Sequence, residues 1–528
     1  MATTVEHLKR QKDGLDVLED IIRAAAAGFE KMDREYVDLF RWYGLYQQKP
    51  KNGYFMLRVK IPNGDLLANQ VREVAAIAQE FGRGLVDITT RQNYQLHWIR
   101  IENVPEIFHR LQRVGLHTVG ACGDVTRNVV GCPIAGIDGT EICDASPLVK
   151  RISTYLTGNK EFSNLPRKYK ISIAGCRQRC AQPQINDVGL YGIERKVGNR
   201  YEFGFGLMVG GGLSTRPYFA ADLNVFLSYD QVFDVVREIT TIFRDSDVLR
   251  EDRGKARLKF LIHDPKIGIG AEGFLRLLEN KLGYQLERYT APPPPADTED
   301  DHLGIHPQKQ DGLYYVGVGV TSGRTSADRL LRLADIVDQY STHATLRNTN
   351  KQNFIITHIP KDNIPHVVHD LEALGFSPRP SSFRHYMVAC TGTEFCNLAI
   401  TETKALSIEL SRKLEEALPN FHRKLRIHIS GCPNNCGQTA IADIGLRGGL
   451  TKVEGQPVEV YDIQLGGGTG AQPRFAETIM RKVPASALAP TLVRLCKAFE
   501  AWAQNGESFR DFVDAHTPEQ LIAILGKA

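Results

Sequence analysis

Four cysteines in the last third of the chain have the types and spacing for metal chemistry. They lie in Cys390-x5-Cys396, within VACTGTEFCNLAITETK, and in Cys432-x3-Cys436, within ISGCPNNCGQTAIADIG. Four thiolates are enough to hold one cubane iron–sulfur cluster. Two close pairs, separated by a stretch of chain, can approach such a cluster from opposite sides. A zinc ribbon prefers two residues between paired cysteines, and ferredoxin runs crowd their ligands into one loop. Neither pattern is present. The competing reading, ordinary buried thiols or disulfides, is disfavoured by composition. Ten cysteines in 528 residues is far below the density of a disulfide scaffold.

The N-terminal stretch MATTVEHLKRQKDG lacks the apolar core of a secretory signal. No uninterrupted apolar stretch is long enough to span a bilayer. A cytoplasmic protein is therefore expected, without a membrane partner, in a compartment where paired thiols bind metal more often than each other. The 65 basic and 61 acidic residues leave a net charge of +4, too little for a dedicated nucleic-acid binder.

A chain of this length needs about three domains, and its sequence repeats. ISIAGCRQRCAQPQINDVGLYG (171–192) and IHISGCPNNCGQTAIADIGLRG (427–448) are identical at 11 of 22 positions, at an offset of 256. The same offset aligns VGGGLSTRPYFA (209–220) with LGGGTGAQPRFA (465–476). At 259 or 260, TRQNYQLHWI (90–99) matches NKQNFIITHI (350–359), and VPEIFHRLQRVGL (104–116) matches IPHVVHDLEALGF (364–376). Matches in the same order at so long a period indicate duplicated domain-sized halves rather than a solenoid. RYTAPPPPADTEDDH (288–302) has the composition of a semi-rigid linker between them.

Each half opens with a β-rich segment, YFMLRVKI (54–61) or LYYVGVGV (313–320). A helical stripe follows: Val71, Val74, Ala75 and Ala78 in one copy, Leu330, Leu333, Ala334 and Val337 in the other. The expected class is α+β, with two halves around a pseudo-twofold axis. A large ligand would sit at their junction.

Together these motifs resemble the ferredoxin-dependent siroheme nitrite and sulfite reductases. The resemblance runs from FRWYGLYQQ (40–48) to Gly466–Gly468, through TTRQN (89–93), NLPRKYK (164–170) and both cysteine motifs. It implies a three-domain siroheme reductase fold. The expected divisions are an N-terminal helical arm (1–40), a first ferredoxin-like half-domain (41–150), a first siroheme-binding domain (151–287) and the linker (288–302). A second half-domain (303–380) and a second siroheme and [4Fe-4S] domain (381–528) complete the chain. It also implies a [4Fe-4S] cluster on Cys390, Cys396, Cys432 and Cys436, with Cys436 shared with siroheme. Reduced ferredoxin, a small acidic protein, is the implied electron donor, and a monomer is expected.

Six-electron reduction of nitrite or sulfite needs fixed positive charge and proton donors beside the reacting anion. The resemblance places these at Arg91, Arg127, Lys168 and Lys170. In an extended PRKYK segment, alternation points Lys168 and Lys170 to one side and Tyr169 to the other. Lysine at 170, where plant-type nitrite reductases have asparagine, favours the more highly charged sulfite. Kinship of TGTEFC, ITETKA and CGQTAIADIG favours nitrite. Nitrite is the expected substrate, sulfite the alternative, and a non-catalytic iron–sulfur carrier the distant alternative. Tyr46 stands where related enzymes carry a tyrosine–cysteine cross-link, but Val125 occupies the expected cysteine position, so none is expected.

Cys176-x3-Cys180 repeats the second cluster pair in the first half. Cys122 and Cys132 would be needed to complete a second four-thiolate site; the other reading is a relic packed as small apolar residues. The glycine runs Gly210–Gly212 and Gly466–Gly468 lack dinucleotide spacing, and close approach of backbone to a large cofactor is the expected reason for them.

Overall fold

The computed structural model describes residues 4–295 and 302–526. Residues 296–301 of the expected linker, and the two chain ends, lie outside the described residues. Three hydrophobic cores organise the chain. One combines residues between 8 and 125 with residues between 316 and 376. The second spans 129–286 and the third 383–525.

The central domain is built jointly by both halves. Tyr54–Val59 and Leu313–Val318 are strands as expected, and Ala68–Phe81 and Ala327–Tyr340 are helices. The stripes Val71/Val74/Ala75/Ala78 and Leu330/Leu333/Ala334/Val337 are fully buried in the shared core. The larger of these side chains each contribute roughly 1.5–3 kcal/mol on burial. The two helices pack against each other, repeat against repeat.

Each half also lends a strand to the other. Asp65–Leu67 pairs antiparallel with Thr345–Asn348, and Arg324–Ser326 pairs antiparallel with Leu85–Ile88. The two five-stranded sheets are therefore completed by exchange. The N-terminal segment belongs to the same domain: Leu8, Val17, Ile21 and Ala24 are buried in its core.

The other two domains each carry a five-stranded mixed sheet, and their layouts match. In the first, Val130–Gly131, Ile171–Ala174 and Val188–Val197 run parallel, and Arg200–Val209 returns antiparallel. In the second, Met387–Ala389, Ile427–Ser430 and Ile444–Val453 run parallel, and Gln456–Leu465 returns antiparallel. Val129, Leu148 and Val149 pack in the first of these cores. That core thus begins ahead of residue 150, where the sequence reading places the division.

Residues equivalent under the repeat meet each other, which puts them on the pseudo-twofold axis. Phe219 stacks on Phe475 with ring centroids 3.9 Å apart and planes 5° apart. Gln438 Nε2 donates to Gln182 Oε1 at 3.3 Å. The backbone repeats too: Arg179 and Gln182, like Asn435 and Gln438, have positive φ.

Candidate active site

The cysteine motifs grow from strand ends. Cys390 follows Met387–Ala389, and Cys432 follows closely on the parallel neighbour Ile427–Ser430. Both therefore emerge at the same edge of the sheet. The Cys390 N–H donates to Ile429 O at 3.1 Å, and the Gly431 N–H donates to Cys390 Sγ at 3.2 Å. Cys432 is buried, Cys390 and Cys396 are half-buried, and Cys436 is exposed.

Cys436 faces two adjoining cavities. One has about 580 Å³ of empty space, part of it open to solvent, and is walled by Arg91, Lys168, Lys170, Arg257 and the amides Gln182, Asn186, Asn350, Asn434, Asn435 and Gln438. The other has about 390 Å³, likewise partly open, between Arg58, Asp87, Gln95, Gln352, Cys390 and Lys404. The Cys436 sulfur stands where they meet.

The cations of the larger cavity sit on a braced frame. Segment 124–127 runs beside 165–169: Leu165 N–H donates to Asp124 O at 3.0 Å, Tyr169 N–H to Val125 O at 3.1 Å, and Arg127 N–H to Tyr169 O at 2.8 Å. Tyr169 is buried and stacks on Phe243 at 5.1 Å. Lys168 and Lys170 point the other way, to the cavity, as alternation predicts. Neither ammonium makes a hydrogen bond to another described residue. Arg91 reaches the same wall, and its guanidinium donates to Asn186 Oδ1 at 2.8 Å, Ile171 O at 3.0 Å and Asn128 O.

Arg127 stands apart from the cavity wall. Its Nε donates to Gly123 O at 2.9 Å, and its charge acts on Arg91 and Lys168 from behind. Burial, then Arg127, lowers Arg91 to about 9. Burial lowers Lys168 to about 8, with Cys436 pulling upward and Arg257 and Arg127 pushing down. Burial and the charges of Arg91, Lys168 and Arg257 hold Lys170 well below the usual lysine range. Concentrated, incompletely partnered positive charge of this kind is costly unless an anion is bound.

The repeat shows how Lys170 is freed. Its counterpart is Arg426, whose guanidinium closes on Asp443, Nε to Oδ2 at 2.9 Å. In the first copy the equivalent Asp187 is taken by Arg257, Nε to Oδ1 at 3.0 Å and Nη2 to Oδ2 at 2.7 Å. Lys170 keeps only the backbone bond to Asp187 Oδ2, at 2.9 Å.

The glycine runs pack tightly against the chain's own backbone. A Cβ on Gly211 would fall 2.5 Å from Gln184 O and 2.7 Å from Asn186 O. On Gly467 it would meet Ala440 O at 2.7 Å and Ala442 O at 2.9 Å. Gly210 and Gly466 have φ of +77° and +79°, and Gly212 and Gly468 bridge to Tyr218 and Arg474. The runs pack the chain against its own cysteine-bearing loops, and none of the six lines the cavity below the lysines.

Arg257, Arg58 and Lys60 are cations that sequence reasoning missed. Arg58 lines the smaller cavity and donates to Gln95 Oε1 at 2.6 Å and Cys122 Sγ at 3.3 Å. Lys60 is fully buried and donates to Thr157 Oγ1 at 2.7 Å; burial, then Arg127 and Arg91, lowers it to about 7. A signal was available: aligned by the repeat, Arg58 and Lys60 stand opposite Gly317 and Gly319. The Cys122 thiol, rather than a side chain at Val125, acts on the Tyr46 phenol.

The family models match both copies. The "Nitrite and sulphite reductase 4Fe-4S domain" matches residues 122–286 and 383–527. The "Nitrite/Sulfite reductase ferredoxin-like half domain" matches 46–114 and 306–374. The chain belongs to the nitrite and sulfite reductase family. An assimilatory ferredoxin-dependent nitrite reductase of Haloferax mediterranei is 37% identical, over 99% of this chain and 93% of that protein. A sulfite reductase [ferredoxin] of Mycolicibacterium paratuberculosis is also 37% identical, over 98% and 95%. A ferredoxin–nitrite reductase of Synechococcus elongatus is 38% identical, over 95% and 97%. The solved structure of Mycobacterium tuberculosis NirA superposes with a TM-score of 0.92 at 35% identity, covering 99% of this chain and 98% of that one.

The residues present fit the family's cofactors. No three of Cys390, Cys396, Cys432 and Cys436 bring their sulfurs within 4.8 Å of one another, so they do not form a tight single-ion site, and four thiolates are the ligand set of a cubane. Burial and the neighbouring Cys436 push the Cys390 thiol up to about 12, so these sulfurs need metal cations to ionise together. Buried Arg91 Nε and Gln182 Nε2 lack partners, as expected of groups that face an anionic ligand.

Proposed function

We propose that this protein reduces nitrite to ammonium with six electrons from reduced ferredoxin, at a siroheme held beside a [4Fe-4S] cluster. The observation that carries the reading is the placement of one exposed cysteine, Cys436, on the same cavity as Lys168 and Lys170, whose ammonium groups make no hydrogen bond among the described residues. Cys390, Cys396, Cys432 and Cys436 hold the cluster, and Cys436, alone in facing both cavities, reaches the macrocycle. When bound, siroheme and cluster would relay the electrons of reduced ferredoxin and supply the redox-active iron. The chain's own residues do the rest. Arg91, Lys168 and Lys170 offset the anion's charge, with Arg127 behind them. The Nζ protons of the two lysines are within the cavity for transfer to departing oxygens. An iron–sulfur carrier would have no use for this set of cations. The protein acts as a cytoplasmic monomer; among the described residues no helix is long and apolar enough to cross a membrane.

Sulfite reduction is the second reading, favoured by the free charge of Lys170, since a dianion gains more from a second ammonium than a monoanion does. Turnover with nitrite and sulfite, measured side by side with one donor and alongside the visible spectrum, tests both. Nitrite is expected to give the higher kcat/KM. Lys170→Asn should shift the ratio further toward nitrite by about tenfold, the equivalent of about 1.4 kcal/mol. An unchanged ratio would show that charge at 170 does not set preference.

Anion binding also fixes a pH dependence. Lys168 titrates at about 8, so it is charged below that pH and neutral above it. kcat/KM should fall as pH rises through about 8. In Lys168→Arg the fall should move to higher pH, because guanidinium keeps its proton.

A further inference from the structure

The first copy holds a metal-ligand geometry that the reaction does not use. Cys132, Cys176 and Cys180 are all buried, and their sulfurs lie within 4.8 Å of one another. Cys176 and Cys180 are 3.6 Å apart. Among the described residues, no other three His, Cys, Asp or Glu side chains converge this closely.

Strand register explains the trio. Val130 and Gly131 pair with Ser172 and Ile173, as Val388 and Ala389 pair with His428 and Ile429. Cys132 is therefore the counterpart of Cys390. Cys176 and Cys180 correspond to Cys432 and Cys436. Three of the four cluster ligands recur, and the counterpart of Cys396 is missing. Cys122 takes no part, being turned toward Arg58.

The recurring site is contracted. Ile134, Ala135, Ile137, Tyr315 and Ile355 pack around the sulfurs. In a tetrahedral site with Zn–S of about 2.3 Å, neighbouring sulfurs stand about 3.8 Å apart. The observed spacing suits a single ion; no three of the second copy's cysteines converge as closely. An opening of about 900 Å³ bordered by Cys176, Glu141 and Arg177 gives access from the surface.

We propose that Cys132, Cys176 and Cys180 bind one zinc ion, with water in the fourth position. The ion is structural. It joins the loops that follow Val130–Gly131 and Ile171–Ala174, next to Ala181 and Gln182 of the cavity wall. Cys180 O in turn accepts from Asn350 Nδ2 at 2.9 Å, tying the site to the other half.

Metal analysis of the holoenzyme should find about one zinc beside about five irons per chain, and zinc X-ray absorption should show three sulfurs at about 2.3 Å. Cys132→Ser and Cys180→Ser should each lose the zinc, while Cys143→Ser keeps it. If the serine variants fail to fold, the wild-type absorption spectrum decides alone. A Cys176–Cys180 disulfide, fewer than three sulfurs on the zinc, zinc well below one per chain, or about nine irons per chain would overturn the assignment. Siroheme is read separately by its visible bands, so failure here is distinct from failure of the reductase reading.

Discussion

Cys436→Ser should fold and yet lose turnover by at least about 10³-fold, or about 4 kcal/mol of barrier. Of the four second-copy cysteines only this one is exposed, and only this one faces both cavities. The change is nearly isosteric at a side chain that is not packed in a core. Circular dichroism and thermal melting should therefore change little. A hydroxyl is a poor ligand for soft iron, and the visible bands and iron content should change together with activity. Wild-type turnover in this variant would remove Cys436 from its assigned place.

Lys168→Met should lower kcat/KM by about 10²–10³-fold, the usual cost of removing one preorganised charge from a developing anion. Its ammonium has no hydrogen-bond partner among the described residues, so no described ion pair is broken and stability should hold or rise: burial disfavours its charged form. Lys168→Arg should recover part of the loss. Arg91→Met should look different. Arg91 braces three segments through Asn186, Asn128 and Ile171, so a lower melting temperature should accompany its loss of activity. Steady-state kinetics paired with melting curves separate the two cases.

The cysteine motifs and the duplication were legible because chemistry and repetition both act at short range in sequence. The helical stripes were legible for the same reason. The exchange of Asp65–Leu67 and Arg324–Ser326 was hidden: three residues carry no periodic signal, and the partner strand is in the other half. Arg257 was hidden because its role depends on Asp187, far away in sequence. The close packing of the glycines on the chain's own backbone was hidden, because the segments they touch are named only by the fold. The correspondence of Cys132 with Cys390 was hidden because loops of different length separate each from its strand neighbour, and only strand register restores it.

The borrowed strands bear on how this polypeptide is made. Emerging from the ribosome N-terminus first, the first sheet presents Leu85–Ile88 as a bare edge until Arg324–Ser326 has been synthesised. An open edge of that kind invites pairing with other nascent chains. Asp65–Leu67, meanwhile, waits for a sheet that does not yet exist. Final closure of the central domain thus waits until the second half has emerged, and crowded polysomes are where this chain is most exposed to aggregation.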